Sequence, residues 1–390
     1  MFQRKGGGAP VKAVARRLHS PDLGLLLITA VLVVFGWLVL YSASALVADS
    51  RFGDQYFFLK RQILWSVLGG GALLVALRIP LGWVQGGARP FLVVTVILLV
   101  AVLVAGHEVG GAKRWLRVGG LGLQPSELAK LAVLLALADY LDRKQSRLGR
   151  FVSGYLPPLL VTGVVLVLIL LERDLGTPLL IGAVALGMIF LAGARPAHLL
   201  ATVLGVLPVL YLAVFHVPYR RQRFLAFLDP WKDAQGTGYQ LVQSLLALGS
   251  GGFWGKGSGE STIKMHYMPE SQTDFIFPIY GEEFGFVGTS LLTAAYFYLS
   301  FSCLRVAFRA VHWFHALLAA GVGMLLGGQV LINLGVVTGL LPTKGIPLPF
   351  LSFGGSSALV LLTAIGLVLN VSRQPGTPVL LAGPSRRKFQ

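Results

Sequence analysis

The chain has 390 residues, of which 55% are hydrophobic and 13% charged, with a mean hydropathy of +0.74. A soluble chain of this length carries about a quarter charged residues, so the composition excludes a pair of soluble domains and describes an integral membrane protein. The formal charge is +17, and the one cysteine, Cys303, excludes an internal disulfide or a cysteine metal cluster and is expected to pack as a small apolar residue.

A basic leader (Arg4, Lys5, Lys12, Arg16, Arg17) precedes an apolar run from Leu23 that is too long for a signal-peptide core and reads as a retained first span. A membrane-crossing helix needs about 20 mostly apolar residues. On that measure the chain offers ten spans: 23–46, 62–79, 90–105, 124–141, 155–171, 176–193, 197–216, 275–304, 313–341 and 353–371. The expected fold is therefore an all-α membrane protein of about ten transmembrane helices. A single membrane domain (23–371) lies between basic tails at 1–22 and 372–390. An even number of spans puts both termini on one side. If that side is the cytoplasm it receives eighteen Lys/Arg against three acids (Asp22, Asp139, Asp142), while the short outer loops carry eight Lys/Arg. The positive-inside rule supports this orientation, and it accounts for the charge without nucleic acid. One outer loop, about 217–272, is long and mixes amphipathic pieces with Gly turns. A loop of that length in a compact protein is usually functional.

The acids gather on the outer side, and six stretches there attract notice. "KRQ" (60–62) opens the second span, where Lys60 and Arg61 would ordinarily anchor a helix at the interface. In "KRWLRVGGLGLQPSELAK" (113–130), Pro125 suits a first helical position and Glu127 a first turn. Glu127 and Lys130 share a helix face. With Lys113, Arg114 and Arg117 they form either a capped, snorkelling helix start or a phosphate site. "LERDLGTPLL" (171–180) is a tight outer turn in which Asp174 caps the next helix or serves substrate. "YRRQRF" (219–224) is a basic cluster that runs against topology pressure, which favours contact with an anionic substrate.

The fifth stretch, "MPESQTDFIFPIYGEEFGFVG" (268–288), crowds Glu270, Asp274, Glu282 and Glu283 at the head of an apolar run. A carboxylate near a membrane is costly and is a functional-site hypothesis by default. A helix starting at Pro269 would put Glu270 and Asp274 one turn apart. Pro278 would deprive the Asp274 carbonyl of its i+4 donor and kink the helix beside the acid. On the bland reading this is an interface cap, with Glu282 and Glu283 solvated. Farther on, the three prolines and the Ser-rich end of "GLLPTKGIPLPFLSFGGSSALV" (339–360) suggest a rigid outer turn whose helix start could receive an anion or pack closely. No Walker motif, GxSxG, HExxH or zinc spacing occurs, and the seven histidines form no ligand set.

Taken in order, "YSAS" (41–44), "YFFLKRQ" (56–62), "KRWLRVGG…LQPSELAK", "DLGT" (174–177), "GYQLVQSLLALGSGGFWGKG" (238–257), "MPESQTDFIFPIYGEEFGFVG" and "LPTKGIPLPFLSFGGSS" resemble the SEDS family (shape, elongation, division and sporulation) over nearly the whole chain. The "TKG" at 343–345 is closer to its division members than to its elongation members. The resemblance implies a peptidoglycan glycosyltransferase that joins lipid II units at the outer face of the bacterial cytoplasmic membrane, at the division septum. It implies a growing strand on polyprenyl diphosphate as the second substrate. The implied partners are a class B penicillin-binding protein transpeptidase and other division proteins. It makes Asp274 the essential catalytic carboxylate, the base that takes the hydroxyl proton, and implies substrate contacts for Arg61, Lys113, Arg114, Gln124, Glu127, Lys130, Asp174, Gln243, Glu270 and Ser352. No cofactor is implied with certainty and no metal ligands are assigned, although Mg or Mn at a diphosphate is chemically reasonable. Three positions depart from the family's pattern: Gln272 for His, Phe353 for Tyr and Arg173 for Pro. An elongation polymerase, a lipid II flippase and a scaffold are the competing readings. Outer acids and apolar mid-spans favour chemistry at one face over transport.

Overall fold

The structure is a computed structural model that describes residues 19–109, 112–118, 121–263 and 272–374. Helices α1 (Leu23–Phe52), α2 (Phe57–Arg78) and α3 (Leu81–Ala105) lead into a small antiparallel sheet, β1 (His107–Val109), β2 (Ala112–Val118) and β3 (Leu121–Leu123), in the order β1-β2-β3. Then come α4 (Pro125–Lys144), α5 (Leu156–Leu171), α6 (Gly176–Leu191) and α7 (Pro196–Phe215). The long loop folds into α8 (Pro218–Leu228) and α9 (Tyr239–Ser250). The chain closes with α10 (Ile276–Arg309), α11 (Trp313–Val337) and α12 (Gly355–Ser372).

All ten expected spans are helices, and among the described residues eight helical segments are long and apolar enough to cross a membrane. The other two are α6, which is short at 16 residues, and α4, whose charges dilute its apolar run. The sheet departs from the all-α expectation. Lys113, Arg114 and Arg117 lie on β2, which pairs with both neighbours, so this outer connection is ordered rather than loose.

Sequence hydropathy is spent in two ways. On α1 the residues Leu27, Val31 and Leu38 stay exposed, as expected where lipid takes the place of water. By contrast α4, α11 and α12 are buried along most of their length and form the centre of the bundle. Helix α7 has no buried residue and stands at the rim. At one face the backbone N–H of His19 donates to the Arg373 carbonyl at 3.0 Å, and that of Asp22 to Ser372 Oγ at 3.0 Å. The Asp22 carboxylate caps α1 through Leu25 N–H and pairs with Arg305 at 3.0 Å. The two ends of the bundle therefore lie on the same side, as an even number of spans requires. At that face Asp139, fully buried, accepts from Arg89, Arg143 and Gln85.

Helix α10 carries one break. Gly285 has φ 65 and ψ −164, outside helical space. The loop after α9 fills the gap: Lys256 and Gly257 N–H donate to the carbonyls of Glu282 and Glu283, and Phe286 and Val287 N–H donate to those of Gly252 and Phe253. The expected kink at Pro278 is absent, because Pro278 falls in the first turn of α10, where a missing N–H leaves no bond unmade.

Candidate active site

The opposite face holds the acids, and its centre is the proline-rich turn between α11 and α12. Prolines cannot donate, so the turn satisfies only some of its own carbonyls, those of Lys344, Leu348 and Pro349, and other helices supply further donors. Asn333 on α11 donates to the Ile346 carbonyl at 2.8 Å, and Gln329, one turn earlier, to that of Pro347 at 2.7 Å. Tyr296 on α10 donates to the Pro349 carbonyl at 2.6 Å. Ser352 Oγ accepts Leu348 N–H at 2.8 Å, and buried Gln62 on α2 bridges the Ser352 carbonyl and the Gly354 N–H. At the helix start that the sequence offered to an anion, Gln62 thus takes one N–H, that of Gly354.

Around this turn the expected residues meet. Asp274 sits in the turn just ahead of α10, partly buried. Its carbonyl, which lies ahead of the helix and outside its hydrogen-bond ladder, accepts from the same Asn333 amide at 2.9 Å. Its carboxylate lies against Gly345, where an added Cβ would come within 2.7 Å of Oδ2. Lys130 and Glu127, both almost fully buried on α4, form an ion pair at 2.7 Å. The Lys130 ammonium also approaches Gln329 Oε1 at 3.5 Å, so Gln329 joins this pair to the turn. Asp174 caps α6, accepting from Gly176 N–H, Thr177 N–H and Thr177 Oγ1 at 2.8–3.2 Å. Ile346 packs on that cap, since a Cβ at Gly176 would come within 2.9 Å of Ile346 Cγ1. Residues 345–347 therefore form one wall touching Asp274, the Asp174 turn and, through Gln329, the Glu127–Lys130 pair.

The remaining candidates are arranged more loosely. Arg114 donates to the carbonyls of Glu172 and Arg173, and Lys113 is exposed on β2. Arg61 is exposed, with its guanidinium 4.3 Å from the centre of the Phe57 ring. Gln124 donates to Ser126 Oγ at 3.0 Å, and Gln243 is half-buried on α9. Glu270 and Pro269 lie outside the described residues. Of the departures, Phe353 packs edge-on against Phe58 at 5.1 Å, and Gln272 contributes its carbonyl to Phe353 N–H.

Glu282 and Glu283 are buried, contrary to the solvated reading. Glu282 pairs with Lys256 at 2.6 Å and accepts from Ser261, Thr262 and Ile263, and Ser42 donates to Glu283 at 2.6 Å. Residues that the sequence reading passed over include Gln329 and Asn333, whose signal is two amides at i, i+4 inside an apolar span. Glu172 is another. It is buried with neither carboxyl oxygen partnered, and desolvation, then the Asp174 charge, push its carboxyl up to about 8 against the pull of Arg114. Among the described residues two non-glycine residues adopt a left-handed backbone, Arg173 (φ 62) and Phe350 (φ 64). They lie in the two turns that flank the wall, the kind of place where strain persists because the surroundings fix it.

A multi-pass helical membrane protein with buried acids and a buried ion pair assembled beneath one face is the class that fold and site define. Residues 23–376 match the FtsW/RodA/SpoVE family of cell cycle proteins, and the chain belongs to that family, the SEDS family of the motif reading. It is 45% identical over 366 residues to the probable peptidoglycan glycosyltransferase FtsW of Geobacter metallireducens, covering 93% of this chain and 98% of that protein. Stage V sporulation protein E of Bacillus subtilis is 41% identical over 356 residues, covering 91% of this chain and 97% of that protein. Among solved structures, a chain from the structural coordination of polymerization and crosslinking by a peptidoglycan synthase complex matches with a TM-score of 0.76 at 33% identity, covering 90% of this chain and 98% of that one. The rod shape determining protein RodA of Thermus thermophilus matches with a TM-score of 0.68 at 30% identity, covering 90% and 97%. Relatives named FtsW at 40–45% identity agree with the lean toward the division branch.

Proposed function

We propose that this protein is a peptidoglycan glycosyltransferase that polymerises lipid II at the outer face of the bacterial cytoplasmic membrane during septal wall synthesis, with Asp274 as general base. A sugar hydroxyl of lipid II attacks the anomeric carbon of the growing strand. Its proton passes to the Asp274 carboxylate, the new C–O bond forms with inversion, and the old C–O bond breaks to release polyprenyl diphosphate. Positioned proton transfer of this kind contributes about 10²–10⁴-fold. The observation that carries the reading is the shared wall: Gly345 touches Asp274, and Pro347 joins through Gln329 to Lys130 and Glu127. Asn333 fixes the Asp274 backbone and the wall with one amide, so base and wall move together.

Glu127 neutralises Lys130, which suits that pair to ordering the wall more than to supplying net positive charge. No group of three or more His, Cys, Asp or Glu side chains gathers among the described residues. Those residues alone do not fit a resident divalent ion, and no step here runs through one. The partner expected for crosslinking is a class B penicillin-binding protein, in keeping with the synthase complex that the fold resembles.

The test is polymerisation of labelled lipid II by the purified protein. Asp274→Ala and Asp274→Asn are expected to abolish polymer while expression and elution stay as in the wild type. Polymer of normal length from either variant removes Asp274 from the mechanism. Lipid II crossing a bilayer without polymer would point to a flippase instead.

A further inference from the structure

Asp139 lies near the end of α4 remote from the Glu127–Lys130 pair, at the face that holds both chain ends, cytoplasmic by the positive-inside rule. It has no part in the proposed reaction. Its side chain is 1% exposed, and each oxygen meets a cation: Oδ2 accepts from Arg89 Nε at 3.0 Å and Oδ1 from Arg143 Nε at 2.6 Å. The Gln85 amide bridges Oδ1 at 3.2 Å to Asp142 Oδ2 at 2.9 Å. One arginine could neutralise a carboxylate with its two-pronged edge. Here two do so, each through one of the five N–H donors that a guanidinium carries. Among the described residues their terminal nitrogens donate no hydrogen bond, and the side chains are 64% and 51% exposed.

This corner holds more positive charge than its acids balance. Residues 85–89 and 139–144 carry Arg89, Arg143 and Lys144 against Asp139 and Asp142. The loop that follows adds Arg147 and Arg150, both exposed, and no acid up to residue 150. Buried Asp139 thus fixes two guanidinium groups side by side with most of their donors unused.

The surroundings say what they meet. Arg89 lies about 24 Å along α3 from Ala105, close to the inner edge of a hydrocarbon layer about 30 Å thick. Toward the outer side Val93, Ile97, Val100 and Val104 continue the Arg89 face and are 46–77% exposed. Toward the cytoplasm Gly82 and Gly86 share that face, with open space where a Cβ would stand. Pro90 also deprives the Gly86 carbonyl of its i+4 donor. One face of α3 therefore presents an apolar track, then a cation pair at phosphate depth, then a bare shelf with a spare acceptor.

We infer that Arg89 and Arg143 bind the phosphodiester of an anionic phospholipid from the inner leaflet. An acyl chain follows Val93 to Val104, and the headgroup rests over Gly82 and Gly86. The unesterified phosphate oxygens suit guanidinium donors, and the anionic leaflet supplies the ligand. A glycerol headgroup brings hydroxyls that can donate to the Gly86 carbonyl, whereas an ammonium headgroup meets the arginines as a like charge. Phosphatidylglycerol is the ligand that fits both features. The polymerase reading is not needed for this site.

The experiment titrates delipidated, full-length protein in detergent with NBD-labelled phosphatidylglycerol, and with NBD-labelled phosphatidylethanolamine as the zwitterionic control. The wild type should prefer phosphatidylglycerol by at least about tenfold, the low end for charge-assisted contacts. Arg89→Gln/Arg143→Gln should abolish that preference while leaving an amide donor for Asp139 at each position. Arg195→Gln/Arg309→Gln strips the same charge from exposed positions of the same face and should leave the preference unchanged.

An undiminished preference in Arg89→Gln/Arg143→Gln overturns the inference. An equal loss in the two double variants does so as well, since the preference would then belong to the general charge of the face. A wild type that binds both lipids alike is also fatal, and that result stands even if Arg89→Gln/Arg143→Gln fails to fold. Displacement of the probe by water-soluble glycerophosphoglycerol as effective as by unlabelled phosphatidylglycerol would leave the apolar track idle and overturn the assignment to a lipid.

Discussion

Glu172 shows how a single buried carboxyl leaves a mark on the whole protein. Its folded value of about 8 lies above the ordinary carboxyl range, so between the two the folded chain binds the extra proton and the unfolded chain does not. Stability should therefore decline as pH rises from about 4.5 to 8 and level off beyond. A neutral Glu172→Gln is expected to flatten that part of a Tm-against-pH curve, and a parallel slope in the variant would assign the effect elsewhere. Gly345 has a different role. An added methyl would meet the Asp274 carboxylate, a movable side-chain end, rather than backbone. Gly345→Ala should thus fold normally yet lose about 10²-fold in kcat, because a displacement of order 1 Å at a reacting group costs that much. Full activity would show that the carboxylate works from another position. Asp274 and the Glu127–Lys130 spacing stood out in the sequence because acids near a membrane are costly. Glu172 did not, because its neighbours in sequence read as an ordinary turn and only the fold takes water from it.

At the scale of elements, α10 is two pieces joined at Gly285, and the loop 251–263 is latched across the joint by the buried Glu282. Removing one partner of a buried charge network costs about 3–5 kcal/mol. Glu282→Ala should therefore lower Tm and expose the amides of 251–263 to hydrogen exchange before the rest of α10; uniform protection across both segments would contradict the latch. Sequence reasoning placed the break at Pro278, the stronger local signal. It fell instead at a glycine that looked unremarkable, because a first-turn proline costs a helix nothing, whereas a backbone at φ 65 needs a glycine and a facing loop to satisfy it. The strands were likewise illegible. Their residues alternate poorly and are ordered by pairing with each other between α3 and α4.

Over the whole molecule, the ten spans, the long loop with its amphipathic helices and the gathering of acids at one face were all legible, since hydropathy acts on every residue alike. The convergence of α2, α4, α6, α10 and α11 on one proline-rich turn was not, because it depends on side-chain contacts that span from 13 residues (Asn333 to Ile346) to 290 (Gln62 to Ser352) and follow no local pattern. The meeting of His19 with Arg373 has a consequence of its own. With the start of its first helix hydrogen-bonded to the end of its last, the chain begins and finishes at one spot, so its starting point is arbitrary. A permuted gene that joins residue 374 to residue 19 by a short flexible link, and opens at the Gly193 turn between α6 and α7, would keep every helix direction and leave the wall intact. Such a permutant should retain polymerase activity; a folded but inactive one would mean that the order in which helices are inserted leaves a lasting imprint on the site.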